Sequence, residues 1–148
     1  MRLFIDTNVL FDILGQRPPF CRDAQRLIFM QAFGDAELWA APQSYLDIFY
    51  VLRKSTSCDD LQKRLALSLQ RINLCTTGHE DIQKAASMAW NDLEDATIAV
   101  CCAKTGADYL ITRDADGFGQ SSVPAITPAE FFDMLEREYG VTYAIEGF

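Results

Sequence analysis

Histidine, paired cysteine motifs and basic charge are all scarce in this 148-residue chain. His79 is the single histidine, and the five cysteines include no C-x-x-C spacing, which argues against a zinc site or a disulfide framework. We therefore expect the cysteines to be buried, reduced thiols and His79 to be an ordinary helix-start residue. The formal net charge is −8, so a uniformly basic nucleic-acid-binding surface is excluded.

Long apolar segments are also missing. No run approaches the roughly 20 residues that a membrane span requires, and Asp6 interrupts the first apolar run too early for a secretory signal. We therefore expect a cytoplasmic protein with no membrane partner. The length fits one domain, which we place at residues 1–140, followed by a C-terminal tail at 141–148.

Strand and helix signals alternate along the chain, without the turn signals of β-hairpins. Short apolar runs predict five strands, near residues 3–5, 37–41, 71–75, 109–112 and 123–126. Helical spacing of apolar residues follows each of them. The clearest helix start is Thr127-Pro128-Ala129-Glu130, which combines a cap, a first-turn proline and a capping box. This order predicts an α/β fold with a parallel sheet and helices on both faces.

Acidic residues recur where strands end and helices begin. Asp6 follows the first strand and Asp114 follows the fourth. Asp47 lies near the start of the helix after the second strand, and Asp92 and Asp95 open the helix before the fourth strand. In a parallel α/β sheet, strand carboxyl ends and helix amino ends lie on the same side. Carboxylates that crowd there repel one another, and a divalent cation relieves that repulsion.

The same acids have structural explanations as well. Thr7 or Asn8 is the expected cap of the first helix, and Asp6 can also cap it. Asp92 with Asp95 can form a capping pair stabilised by the helix dipole. Asp47 can be a solvated helix residue and Asp114 a turn former. The hypothesis of a metal site therefore depends on joint placement rather than on any single acid. The acids interpreted as solvated are Glu94 and Asp116.

Five segments together resemble a PIN domain, the fold of VapC-type toxin ribonucleases. In order, they are F-I-D-T-N-V-L at 4–10, D-I-F-Y-V-L at 47–52, D-L-E-D-A at 92–96, L-I-T-R-D at 110–114 and I-T-P-A-E-F at 126–131. The resemblance implies a single-domain, five-stranded parallel sheet in the order 3-2-1-4-5. Asp6 and Asp114 would then flank the point where the strand order reverses, which is where such sheets bind ligands.

The resemblance also implies Mg²⁺- or Mn²⁺-dependent cleavage of RNA. Carried over by position, Asp6, Asp95 and Asp114 would be the catalytic, metal-binding acids, with Asp92 beside them at the metal. Hydroxyl and amide groups would orient these acids. The residues expected to do so are Thr7, Asn8 and Thr112.

RNA and protein partners follow from the same resemblance. RNA would be held by Arg113, with Arg53, Lys54 and Arg17 as further candidates. The protein would be the toxin of a toxin–antitoxin pair, with a small antitoxin as its partner, and a homodimer.

Two positions depart from the family pattern. Asp47 stands where a longer glutamate is usual, and Gly117 stands where an acid commonly precedes the late phenylalanine. Asp47 is the fourth candidate catalytic residue, and its shorter reach keeps an alternative open: a catalytically impaired PIN domain that binds RNA or protein. A haloacid-dehalogenase-like phosphatase is disfavoured because Asn8 replaces a second aspartate. A receiver-like phosphoacceptor is disfavoured because Lys104 precedes the fourth strand.

Overall fold

The computed structural model describes residues 1–145, which contain five strands and seven α-helices, with two helices after each of the first three strands. The strands are β1 (Arg2–Ile5), β2 (Glu37–Ala40), β3 (Ile72–Leu74), β4 (Tyr109–Ile111) and β5 (Ala125–Ile126). The helices are α1 (Thr7–Gly15), α2 (Cys21–Ala32), α3 (Pro42–Leu52), α4 (Cys58–Ser68), α5 (His79–Ser87), α6 (Leu93–Thr105) and α7 (Pro128–Tyr139). A 3-10 turn spans Asp116–Phe118.

The sheet is parallel throughout, in the order β3-β2-β1-β4-β5, which confirms the predicted topology. The central strand, β1, is apolar after Arg2, and its last three residues are fully buried. Such a strand suits a sheet covered on both faces. Because β1 and β4 are neighbours, the residues that follow them meet at one edge of the sheet.

Alternate residues of β1 serve two separate cores. Leu3 and Ile5 join the larger core, which contains residues of α1, α2, α3 and α7. Phe4 points to the opposite face and packs with apolar residues of α6, among them Ile98 and Cys101. These two cores hold the sheet between layers of helices.

Helix caps follow the sequence signals closely, with one shift. Thr127 and Glu130 form the expected capping box at the start of α7. The cap of α1 is Asp6, one residue before the predicted Thr7 or Asn8, and its carboxylate accepts from the Thr7 backbone N–H. The capping interpretation of Asp6 is therefore right, and it does not compete with a role in a site.

The scarce residue types are placed largely as expected. Four of the five cysteines are buried thiols, but Cys58 is exposed because it is the first residue of α4. His79 begins α5. Within residues 1–145, no helix combines the length and apolar character needed to cross a membrane.

The described part of the predicted tail packs against the domain. Tyr143 contacts the Phe132 and Phe33 rings, and its hydroxyl donates to Asp35 Oδ2 at 2.6 Å. Arg26 Nε donates to the Tyr143 carbonyl at 2.8 Å. Residues 146–148, the remainder of that tail, lie outside the described residues.

Candidate active site

Asp6 is the first residue after β1 and is 5% exposed. Its Oδ1 accepts from the Thr7 backbone N–H at 2.7 Å, and its Oδ2 accepts from Thr112 Oγ1 at 2.7 Å. The backbone N–H of Asp6 donates to the Ile111 carbonyl at 3.0 Å, which extends the β1–β4 pairing by one residue. Burial raises the pKa of Asp6, against the lowering effect of the two hydrogen bonds. The carboxylate is thus fixed in place at an electrostatic cost.

Asp92 and Asp95 approach Asp6 from the start of α6. Asp92 caps that helix by accepting from the Asp95 backbone N–H at 3.1 Å, so it has the structural role that its spacing also allowed. Burial, followed by the charges of Asp92, Asp6, Glu94 and Asp114, raises the pKa of Asp95 to about 6. The repulsion identifies Asp95 as the member of the cluster with the most acidic surroundings.

Asp114 follows β4 and is held by a turn. Its Oδ1 accepts from the Gly117 backbone N–H at 3.2 Å, and its own N–H donates to Thr112 Oγ1 at 3.1 Å. A Cβ at position 117 would lie 2.6 Å from Asp114 Oδ2. Glycine in place of the usual acid therefore gives the Asp114 carboxylate the space it occupies.

Thr112 links two of the predicted metal-binding acids. It is fully buried, donates to Asp6 and accepts from the Asp114 backbone. Asn8 makes a different contact, since its Oδ1 accepts from the Arg113 backbone N–H at 3.2 Å. Of the three predicted orienting residues, Thr7 and Thr112 contact the acids, whereas Asn8 holds the neighbouring backbone.

Glu94 belongs to the cluster although its sequence position suggested a solvated residue. It is exposed, yet its Oε1 accepts from Thr7 Oγ1 at 3.1 Å. Thr7 Oγ1 also lies 2.6 Å from Ser44 Oγ, so α3 is tied to the same group. Burial raises the pKa of Glu94, and the nearby charges of Asp47 and Asp6 add to the increase. Its position beside Asp95 in D-L-E-D was the available signal.

Asp47 lies at the margin of the cluster. It is half-buried, and its Oδ1 accepts from Gln43 Nε2 at 2.9 Å, one turn earlier on α3. Its charge acts on Glu94. Glu94 and Asp47 are therefore neighbouring carboxylates, and both line one cavity between α3 and α6.

The predicted RNA-binding cations lie in two different places. Arg113 and Arg17 line a cavity of about 240 Å³, shared with Asp6 and Asp95. Arg53 and Lys54 follow the carboxyl end of α3, where the charged groups of both lie over the Tyr50 ring. They are not among the residues that line this cavity.

The donor atoms at this edge suit a hard divalent cation, because they are carboxylate and hydroxyl oxygens. Within residues 1–145, no acid of this cluster has a cationic side chain within ion-pair distance. The cluster comprises Asp6, Asp47, Asp92, Glu94, Asp95 and Asp114. As the side chains stand, no three acid, imidazole or thiol groups in this range converge on one point.

The fold and this edge together define a class of protein. A parallel sheet in the order 3-2-1-4-5, with acids after β1, after β4 and at the start of α6, is the arrangement of a PIN domain. The PIN domain family model matches residues 2–116, and the chain belongs to this family.

Solved structures share the fold at low sequence identity. VapBC-1 from nontypeable Haemophilus influenzae has a TM-score of 0.67 and 17% identity, over 87% of this chain and 99% of that one. Mycobacterium tuberculosis VapC20, described as a sarcin-ricin loop cleaving toxin, has a TM-score of 0.65 and 13% identity, over 82% of this chain and 97% of that one. PAE2754 from Pyrobaculum aerophilum has a TM-score of 0.64 and 14% identity, over 93% of this chain and 100% of that one. No curated protein matches the chain.

Proposed function

We propose that this PIN-domain protein is a divalent-metal-dependent endoribonuclease. The observation that carries the proposal is the concentration of acids at one edge of the sheet with no ion-pair partner among residues 1–145. Such a cluster costs stability in the absence of a counter-ion, and a bound cation together with substrate phosphate would remove that cost. The six acids are Asp6, Asp47, Asp92, Glu94, Asp95 and Asp114.

Asp6, Asp95 and Asp114 are the residues that would hold Mg²⁺ or Mn²⁺, with Asp92 adjacent. When bound, the ion would lower the pKa of a water molecule and polarise the scissile phosphodiester. The protein's own contribution is to keep the acids in place: Thr112 connects Asp6 to the backbone of Asp114. Thr7 restrains Glu94 from the opposite side.

RNA is the proposed substrate. Arg113 and Arg17 border the acids and are placed to meet the phosphate backbone beside the cleaved bond. Arg53 and Lys54 would contact RNA only along the outer surface of α3.

The biological setting that we propose is a toxin–antitoxin pair in the cytoplasm, with the toxin as a homodimer. The support for an antitoxin is that several structural neighbours are toxin–antitoxin complexes, including VapBC-1. The support for a homodimer is a group of exposed apolar side chains on α3, α5 and α6. They are Leu46, Tyr50, Val51, Ile82 and Leu93.

The test is cleavage of an end-labelled, mixed-sequence single-stranded RNA with Mg²⁺ or Mn²⁺. We expect cleavage that stops with EDTA and is abolished by Asp6→Asn and by Asp95→Asn. Asp108→Asn is the matched control, because Asp108 accepts from the Arg2 backbone N–H at the opposite edge of the sheet. That variant should cleave like the wild type.

Two results would contradict the proposal. Equal cleavage by wild type and Asp6→Asn would point to a contaminating nuclease. RNA binding by wild type without cleavage would favour the impaired PIN domain that acts by binding, for which the short, Gln43-bound Asp47 is the structural argument.

A further inference from the structure

Asp12 is a buried acid on α1 that has no part in the carboxylate cluster. It is 1% exposed. Its Oδ2 lies 2.8 Å from Arg113 Nε, and its Oδ1 lies 3.9 Å from Arg17 Nε. Neither Oδ1 nor Arg113 Nε makes a hydrogen bond within residues 1–145, so the Arg113–Asp12 contact is a close ion pair without hydrogen-bond geometry. An acid buried this deeply needs such partners, and both of them are residues that line the active-site cavity.

Each of the two arginines is also placed against an aromatic ring. The guanidinium carbon of Arg113 lies 4.3 Å from the centre of the Phe20 ring, and that of Arg17 lies 4.4 Å from the centre of the Phe11 ring. A cation over a ring face is attracted by the ring quadrupole, and arginine makes this contact well. Arg113 thus lies between Asp12 and a ring, and Arg17 has the same two kinds of neighbour at a longer distance from Asp12.

The contacts with Asp12 involve the Nε atoms of Arg113 and Arg17. In residues 1–145, Asp12 is the only carboxylate within ion-pair distance of either side chain. The terminal nitrogens therefore remain available to an anion, and arginine presents them in a planar fork that matches phosphate.

We propose that Asp12 is a positioning residue that fixes Arg113 and Arg17 so that their terminal nitrogens bind a backbone phosphate of the RNA beside the acid cluster. This inference rests on the proposed function, because it takes RNA as the substrate. Asp12 itself touches neither RNA nor metal. Its effect is to order two long side chains before the substrate arrives, which lowers the entropy lost on binding.

The experiment measures binding rather than turnover. Fluorescence anisotropy follows a labelled, mixed-sequence single-stranded RNA with Ca²⁺ as the divalent ion, for wild type, Asp12→Asn, Arg113→Gln and the double variant. We expect each single change to weaken binding by about 5- to 20-fold. Arg113→Gln should also reduce the slope of log K against log salt by about 0.7, since one phosphate contact is lost from a single strand.

The double variant separates positioning from a merely structural role. If Asp12 acts through the arginines, the loss in the double variant is clearly smaller than the product of the two single losses. Glu37→Gln is the matched control, because it also removes a carboxylate from an arginine pair and changes the net charge equally. It lies at the opposite edge of the sheet and should bind RNA like the wild type.

Three outcomes would overturn the proposal: wild-type binding by Asp12→Asn, multiplicative losses in the double variant, or no RNA binding by the wild type. If Asp12→Asn does not fold, Arg113→Lys takes its place. A lysine keeps the charge but cannot contact Asp12 and phosphate together through one planar fork, so wild-type binding by that variant would also overturn the proposal. Failure of RNA cleavage with the expected binding pattern would contradict the nuclease proposal alone.

Discussion

The two edges of the sheet carry acids in opposite surroundings. At the amino edge of β1 and β2, each acid has a nearby donor. Arg2 Nε donates to Glu37 Oε2 at 2.8 Å, and the Arg2 backbone N–H donates to Asp108 Oδ2 at 2.7 Å. Arg2 also donates to the Thr105 carbonyl, so one arginine joins two strands and α6. This edge is held together by compensated charge.

At the carboxyl edge, the acids meet hydroxyls, backbone N–H groups and one another. Asp6 accepts from Thr112 and Thr7, and Asp114 accepts from Gly117. The nearest arginine, Arg113, is paired with Asp12 rather than with the cluster. Arg113 lines the same cavity as Asp6 and Asp95, but its ion pair is with Asp12 and not with an acid of the cluster.

The pKa values of acids at the two edges are shifted in opposite directions. The Arg2 hydrogen bond lowers the pKa of Glu37, whereas burial and neighbouring carboxylates raise the pKa of Asp95 to about 6. The charges at the amino edge favour the folded state, whereas the charges at the carboxyl edge disfavour it. Functional sites commonly show this concentration of unfavourable charge, so the contrast supports the proposed site independently of any motif.

The strongest test of this contrast is the response to Mn²⁺. An ion present at 100 times its Kd stabilises the fold by about 2.7 kcal/mol, which corresponds to an increase in Tm of about 5–10 °C for a chain of this size. Thermal unfolding by circular dichroism should show this increase for wild type. Asp6→Asn and Asp95→Asn should lose most of it, and Asp108→Asn should retain it. An equal response in all four proteins would remove the distinction between the edges.

The second test concerns the hydroxyl that joins the acids. Thr112→Val removes the donor to buried Asp6 and the acceptor for the Asp114 backbone. We expect Mn²⁺ affinity to fall about 10- to 100-fold and the metal-free protein to lose about 1–3 kcal/mol of stability. Isothermal titration and urea unfolding measure the two effects.

The control for this change is Thr97→Val. Thr97 is a comparably buried threonine, and its hydroxyl donates to the Leu93 carbonyl within α6 at 2.8 Å. Its loss should leave Mn²⁺ affinity unchanged. A similar loss of affinity in both variants would show that Thr112 acts through general stability and not through the acids.

A smaller effect on Mn²⁺ affinity is expected from Gly117→Ala, which adds one methyl group beside the Asp114 carboxylate. The Cβ of Gly117→Ala would lie 2.6 Å from Asp114 Oδ2, so the carboxylate must turn away from the Gly117 N–H. Loss of one such hydrogen bond predicts a decrease in Mn²⁺ affinity of about 2- to 10-fold. Gly119→Ala is the control, since its nearest neighbour, the Asp116 carbonyl, is at an ordinary 3.4 Å. Unchanged affinity in Gly117→Ala would exclude Asp114 from metal binding.

Most of the fold could be predicted because its signals are local. The apolar run before Asp6, the proline and capping box at Thr127, and the alternation of strands and helices each depend on neighbouring residues alone. Local signals could not predict the order of the strands in the sheet, which required the family resemblance. Element ends shifted by a residue or two, as at Asp6, where the cap depends on which oxygen reaches the first N–H.

The site could be predicted only in part. The positions of Asp6, Asp95 and Asp114 at strand and helix ends predict that they lie toward one edge of the sheet. Their role as metal-binding acids came from the family resemblance and stays a prediction. Glu94 could not be assigned, because the rotation of α6 about its axis decides whether a first-turn side chain faces Thr7 or solvent. Asp12 is an acid on the buried face of α1, which is a usable signal, but its closer partner, Arg113, is distant in sequence.

A further expected effect is the dependence of metal-free stability on pH. The pKa of Asp95 is about 6 in the folded protein against 3.8 for the free side chain, so between these values the folded state binds more protons than the unfolded state. Stability therefore falls as pH rises from about 4 to about 6, and Asp95→Asn should flatten this decline. Glu37 has a lowered pKa, so its contribution is lost as pH falls, and Glu37→Gln should steepen the decline. Urea unfolding in EDTA across this range measures both slopes. If the two variants shift the slope in the same direction, the charges at the two edges are not opposed, and the electrostatic argument for the site fails.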